Sequence, residues 1–205
     1  MKRSSIVLVG VLTLATTLFK VASLSAQVIY GDTVLVEIPE EQRRAFINSI
    51  KQKVVHLQHY ITNISDKKID LGVRLEQAES AIKLFSSEDN IVQVSNVRTG
   101  KITQMPVRSY FRALANIKAT KVEITFYKGV QFETIRRGSD GYYYGTALMF
   151  QETTITKGEN AISYRDRTIK RVNFKSRQEF TFIGDEKIQI IETFLQDIDV
   201  TETTI

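Results

Sequence analysis

Between Phe46 and Phe85 the apolar residues recur at helical spacing, and after Thr120 that spacing gives way to strand-forming runs. Phe46, Ile50, Val54, Leu57, Ile61 and Ile64 fall four and three positions apart, which makes one stripe on a helix of roughly six turns. Pro39 suits a first helical position, and Glu40 and Glu41 sit where the helix dipole favours carboxylates. The polar stretch Asn63 to Lys68 interrupts the pattern; Leu71, Leu75, Ala78, Ile82 and Phe85 resume it. Two stripes with a short break predict a helical hairpin, or one long helix with a bend. A shorter third helix opens at Pro106 and carries Val107, Tyr110, Phe111 and Leu114.

Ser86 to Asn90 closes the first helical part. Ile91 to Val94 and Lys101 to Gln104 read as two short strands about a Thr99-Gly100 turn. Four β-rich runs then follow: Lys121–Ile135, Tyr142–Ile155, Ile162–Arg177 and Phe180–Val200. Gly138–Gly141 and Lys157–Asn160 part them, and a Gly184-Asp185 turn falls inside the last. Runs joined so closely are antiparallel. Helices first and a meander afterwards is an α+β pattern, read here as a single domain over residues 40–200 with a tail at 201–205.

Residues 1–26 have the layout of a cleavable secretory signal. Lys2 and Arg3 precede an apolar run from Ile6 to Phe19, and small or polar residues lead from Ala22 to Ala26. The run falls short of the ~20 residues that span hydrocarbon, so an uncleaved anchor is the lesser alternative. Cleavage after Ser25 or Ala26 leaves an extended arm, residues 27–39, ahead of the domain. The expected location is the periplasm or the cell exterior, and no later segment reaches a spanning length. The absence of cysteine excludes disulfides, thiolate nucleophiles and cysteine-held zinc. The formal charge of +5 includes Lys2, Arg3 and Lys20; without them it is +2, with no polybasic block, so nucleic acid is not an expected partner.

Two stretches resemble a known superfamily. FSSEDNIVQVSNVRTGKITQMPVRSYFRAL, Phe85 to Leu114, ends one helix, makes a short hairpin and starts another helix at basic and aromatic residues. FTFIGDEKIQIIETF, Phe180 to Phe194, places a Gly-Asp turn between two apolar strands. In this order of elements, from about Glu40 to Val200, the chain resembles the nuclear-transport-factor-2-like superfamily, shared with ketosteroid isomerases and polyketide cyclases. The resemblance implies a curved antiparallel sheet with a helical hairpin and a short third helix across its concave face, a cone open at one end. Relatives use that cone for catalysis or for binding. They often pair through the outer face of the sheet, so a homodimer is compatible with the long strands.

The candidate residues follow from strand alternation within that cone. RRGSDGYYYG, Arg136 to Gly145, is first of all a hairpin turn, since Gly138 and Gly141 tolerate positive φ and Asp140 can bond its own backbone. Tyr142 and Tyr144 then share one face of a strand and Tyr143 takes the other. Phe126, Tyr142, Tyr144 and Phe150 are the expected apolar wall, with Arg165 and Arg167, on one face of their strand, as charged contacts. A solvated outer face is the competing reading of the arginines. Glu192 shares a face with Ile188, Ile190 and Phe194, which makes it the carboxylate placed to meet an apolar environment; cross-strand ion pairing competes.

His56 and His59, the two histidines, lie three apart on the first helix without a third ligand beside them. No metal is expected there, and His59 stands only as a candidate general base. No phosphate loop, dinucleotide fingerprint, serine elbow or zinc-protease helix occurs, and no cofactor is expected. These residues point to non-catalytic binding, of a small amphipathic ligand in the cone or an envelope protein on the sheet face. One alternative is a small isomerase, cyclase or hydrolase using Glu192 or His59. The other is an envelope-assembly component that adds its arm, Gln27–Ile38, to a partner's sheet.

Overall fold

The computed structural model describes residues 38–158 and 161–205. The expected signal peptide, and the expected arm as far as Glu37, lie outside the described residues. In chain order the elements are α1 (Glu40–Ser65), α2 (Leu71–Ile82), β1 (Ile91–Asn96), β2 (Lys101–Pro106), α3 (Val107–Ala115), β3 (Lys121–Phe126), β4 (Gln131–Arg137), β5 (Tyr143–Lys157), β6 (Ala161–Ile183) and β7 (Glu186–Thr204). Among the described residues this is an α+β fold, three helices against a curved, unclosed sheet of seven strands.

The sheet runs β2-β1-β7-β6-β5-β3, with β4 also paired to β5. Every strand pair is antiparallel except β1 with β7, which meet in parallel at Val92 and Ile198. β3 and β4 lie end to end along the same edge of β5, so the run expected over Lys121–Ile135 is one edge broken at residues 127–130. The other long runs divide differently from the expectation. β6 continues unbroken through Arg177 and Phe180, and the chain reverses only at Gly184 and Asp185. Thr203 and Thr204, expected in a tail, pair with Thr168 and Arg167 of β6.

Curvature arises where β7 carries more residues than β6 opposes. One irregularity separates the pairs Ile169–Glu202 and Lys170–Val200, and another separates Val172–Ile198 and Phe174–Leu195. Each extra residue bends the bulged strand and increases its twist. The sheet therefore curls around α1, whose stripe residues Phe46, Ile50, Val54, Leu57, Ile61 and Ile64 are all buried. They join Val172, Phe174, Leu195 and Ile198 in one core. Gln42 donates to Gln178 at 2.6 Å and Ser49 bonds Thr193 at 2.8 Å, which fixes the first turns of α1 over β6 and β7.

α3 covers another part of the concave face, beside β1 and β2. Arg74, buried on α2, donates to the Ala115 carbonyl at 2.5 Å, and Lys67 donates to the same oxygen at 3.2 Å. Two cations thus meet the carbonyl end of α3, where the helix dipole favours positive charge. Burial, and then the neighbouring Arg74 charge, lower the Lys67 pKa.

Gly145 shows how tightly β4, β5 and β6 are packed. A Cβ there would sit 2.2 Å from the Thr134 carbonyl oxygen and 2.5 Å from Phe174 Cζ, a backbone and a core ring that cannot both give way. Gly129 has open space in the same test. Gly145→Ala is expected to lose about 2 kcal/mol or more of unfolding free energy, and Gly129→Ala less than about 0.5 kcal/mol, in urea denaturation. Equal losses for the two would contradict this packing.

Candidate functional site

On β6 the even-numbered side chains face the helices. Val172, Phe174 and Ser176 are buried below α1, and the same face continues as Lys170, Thr168, Asp166 and Tyr164 towards the other end of the strand. Apolar packing therefore gives way to polar side chains as the face passes out from under α1. The register against β5 sets Tyr164 opposite Ile155, Asp166 opposite Thr153, and Thr168 opposite Gln151. Together they floor a cavity of about 560 Å³. Its walls are apolar, with Val94 from β1, Met105 from β2, Leu114 from α3, Ile117, and Val122 and Ile124 from β3. Asn96, Arg98 and Lys157, all exposed, stand at its rim.

Asp166 is the centre of the floor. It is 4 % exposed, and its Oδ2 accepts a hydrogen bond from Tyr164 Oη at 2.5 Å. Its Oδ1 is buried and has no hydrogen-bond partner among the described residues. A buried carboxylate oxygen in that state costs about 1–3 kcal/mol or more unless something in the cavity donates to it. Burial, helped by that hydrogen bond, raises the Tyr164 phenol to about 12. Burial raises the Tyr110 phenol, which hangs from α3 onto the cavity, to about 12 as well, with the Asp166 charge adding to the effect.

Lys170 completes the group. Its side chain is buried among Tyr110 and the strands, and its ammonium donates to the Gln93 carbonyl at 3.3 Å and lies 5.5 Å from the Tyr110 ring centre. No ion pair holds it among the described residues. Burial brings its pKa down to about 8, and the Asp166 charge opposes that shift only in part.

No protein-family model, curated protein or solved structure matches the chain. The site is therefore read from its own geometry.

None of the six wall and contact residues expected from sequence lines the cavity. Phe126 shares the inner face with Val122 and Ile124, but it packs partly buried against the core. Tyr142 and Tyr144 face outward. Tyr144 donates to Asp140 at 2.6 Å, and Lys175 and Arg177 lie over the Tyr142 ring. The inward ring of the three is Tyr143, buried against Phe46 at 4.4 Å between centroids. Phe150 is buried on the outer face beneath Tyr127 and Lys128.

Arg165 and Arg167 also lie outside, both paired with Glu152 at 2.7 Å and more than half exposed. Glu192 is in the same outer ladder, accepting from Arg177 Nε at 2.8 Å, so the apolar environment expected for it is not there. His56 and His59 are exposed on α1, and His59 Nδ1 meets the Asn63 amide nitrogen at 3.2 Å. No group of three metal-ligating side chains occurs among the described residues.

The residues that sequence reasoning passed over are Tyr110, Tyr164, Asp166 and Lys170. A signal for three of them was present. From Tyr164 to Phe174 the even positions end on Val172 and Phe174, whereas the odd ones hold Arg165, Arg167, Arg171 and Asn173, with Ile169 as the one apolar residue among them. Carried along one unbroken strand, that parity puts Asp166 and Lys170 inside.

Burial of Lys170 makes a signed prediction. Its folded pKa is depressed, so the charged form is penalised by on the order of 3 kcal/mol, and the penalty is relieved as pH rises from about 8 towards the unfolded value. The unfolding free energy of wild type, measured against Lys170→Met at each pH, should gain about 2 kcal/mol between pH 8 and pH 10 and stay flat below pH 7. A difference independent of pH would contradict a desolvated amine.

Proposed function

We propose that this chain is an exported, non-catalytic binding protein of the nuclear-transport-factor-2-like type that takes a small amphipathic molecule into its cone. The order of elements, a helical hairpin, a short strand pair, a third helix and a long meander, supports the family reading. The observation that carries the functional reading is Asp166, buried on a largely apolar cavity with one carboxylate oxygen unpartnered among the described residues. A ligand with a hydroxyl or amine at one end and a hydrocarbon body satisfies both halves of that surface. The donor meets Asp166 Oδ1, and the body lies against Leu114, Val122 and Ile124.

The same oxygen favours one other reading, an isomerase or cyclase in which Asp166 removes a proton beside a carbonyl group. Titrating the labelled protein with alicyclic and aromatic alcohols and ketones, followed by amide chemical shifts, separates the two. Binding without turnover is expected, with shifts confined to residues around Tyr110, Tyr164, Asp166 and Lys170. Asp166→Asn should weaken alcohol binding about tenfold, while Glu192→Gln and His59→Ala leave it unchanged. If no alcohol or ketone perturbs the cavity residues, the binding reading is wrong. Ketone turnover that disappears in Asp166→Asn would replace it with the enzyme reading. Export is checked separately: the chain recovered from the cell envelope should lack the residues up to Ser25 or Ala26, and recovery of the intact chain would contradict a cleaved signal.

A further inference from the structure

We propose that Lys170 is an imine-forming nucleophile, whose amine in the cone condenses with the carbonyl group of an apolar aldehyde or ketone. The inference rests on the cavity being a small-molecule site, as proposed above, and names a covalent ligand class for it.

Three features of the structure carry it. The first is position. Lysine is among the residues least often buried, and β6 has solvated positions for basic residues on its outer face, used by Arg165, Arg167 and Arg171. Lys170 instead lies on the inner face, 4 % exposed, and lines the cavity.

The second feature is the weakness of its hold. A buried ammonium with a structural role is normally paired with a carboxylate, and Lys170 has no ion pair among the described residues. Its hydrogen bond is to the Gln93 carbonyl at 3.3 Å, and Asp166 acts on it through charge alone. Losing a proton therefore breaks no tight pair and leaves the nitrogen lone pair free towards the cavity.

The third feature is the surrounding surface. The aromatic face of Tyr110 and the apolar walls suit a hydrocarbon body, and the Tyr110 phenol, which stays protonated, can donate to a carbonyl oxygen. Burial that brings the amine to about 8 supports the geometry: the uncharged fraction at pH 7 rises from less than one in a thousand to roughly one in ten.

The step balances without another reactant. The ammonium first loses a proton to water. The nitrogen lone pair forms a bond to the carbonyl carbon, while the C=O π pair moves to oxygen. That oxygen takes up one proton, the nitrogen gives one up, and a carbinolamine results. Departure of the hydroxyl group with a further proton releases water and closes the C=N bond. In sum, amine and carbonyl give imine and water.

The test uses the full chain at pH 7 with substoichiometric 2-naphthaldehyde and sodium cyanoborohydride, followed by peptide mapping of the reduced adduct. Occupancy at Lys170 should exceed that of any exposed lysine by about tenfold or more. Lys170→Arg, which keeps the charge, should fold with an unchanged circular dichroism spectrum and lose the selective adduct. Label spread evenly over the surface lysines of folded wild-type protein overturns the inference. 2-Naphthalenemethanol, which cannot form an imine, separates this failure from that of the binding reading. If the alcohol shifts cavity amides and the aldehyde does not label Lys170, the binding reading stands and the imine does not. If neither probe engages the cavity, both are wrong.

Discussion

Everything in this fold depends on how the concave face of the sheet is covered. α1 covers the part of it formed by β6 and β7 around Val172 and Phe174, and there the covering is complete: Phe46, Ile50, Val54 and Leu57 share a core with Val172, Phe174, Leu195 and Ile198, all buried. The part that holds the cavity is roofed by α3, nine residues long and held at its carbonyl end by Arg74 and Lys67. A short roof over a wide, bending sheet leaves a gap. Because the gap meets the inner face of β6 between Tyr164 and Lys170, polar side chains can be placed there that no packed core would tolerate.

Those side chains lower the stability of the chain. The unpartnered oxygen of Asp166 and the desolvated amine of Lys170 each oppose folding, in a strand whose remaining inner positions are well packed. Residues that conflict with their surroundings in this way mark the part of a fold retained for a reason other than stability. The outer face presents the reverse case. There Glu152, Glu133 and Glu192 each meet arginines across the sheet, and the pairs keep a broad β surface charged. Exposed pairs of this kind add little stability, so their charge is more easily understood as a barrier to edge and face aggregation.

The sequence made the helices legible because burial there is one-sided: a stripe of six apolar residues on α1 permits one orientation only. The α+β class and most strands followed from the change of period. The site did not, and the reason is specific to β6. Over residues 164–171 one face carries tyrosine, aspartate, threonine and lysine and the other three arginines with Ile169, so hydropathy there does not mark the first as the inside. What decides the faces lies further along, at Val172 and Phe174, and it speaks for residue 166 only if the strand is known to run unbroken between them. The three tyrosines posed the same problem over a shorter distance, and Phe46 on a remote helix settles which of them is inside.

β7 is the last of the described strands, yet it lies between β1 and β6, and among the described residues it joins the two. During synthesis, β1, β2 and α3 leave the ribosome long before the strand that anchors them to the rest of the sheet. Until Leu195 and Ile198 arrive to meet Phe85 and Val92, the partial chain has neither a continuous sheet nor a cone. Assembly must therefore wait until β7 has been made, and a chain truncated ahead of those residues lacks the means to close the fold.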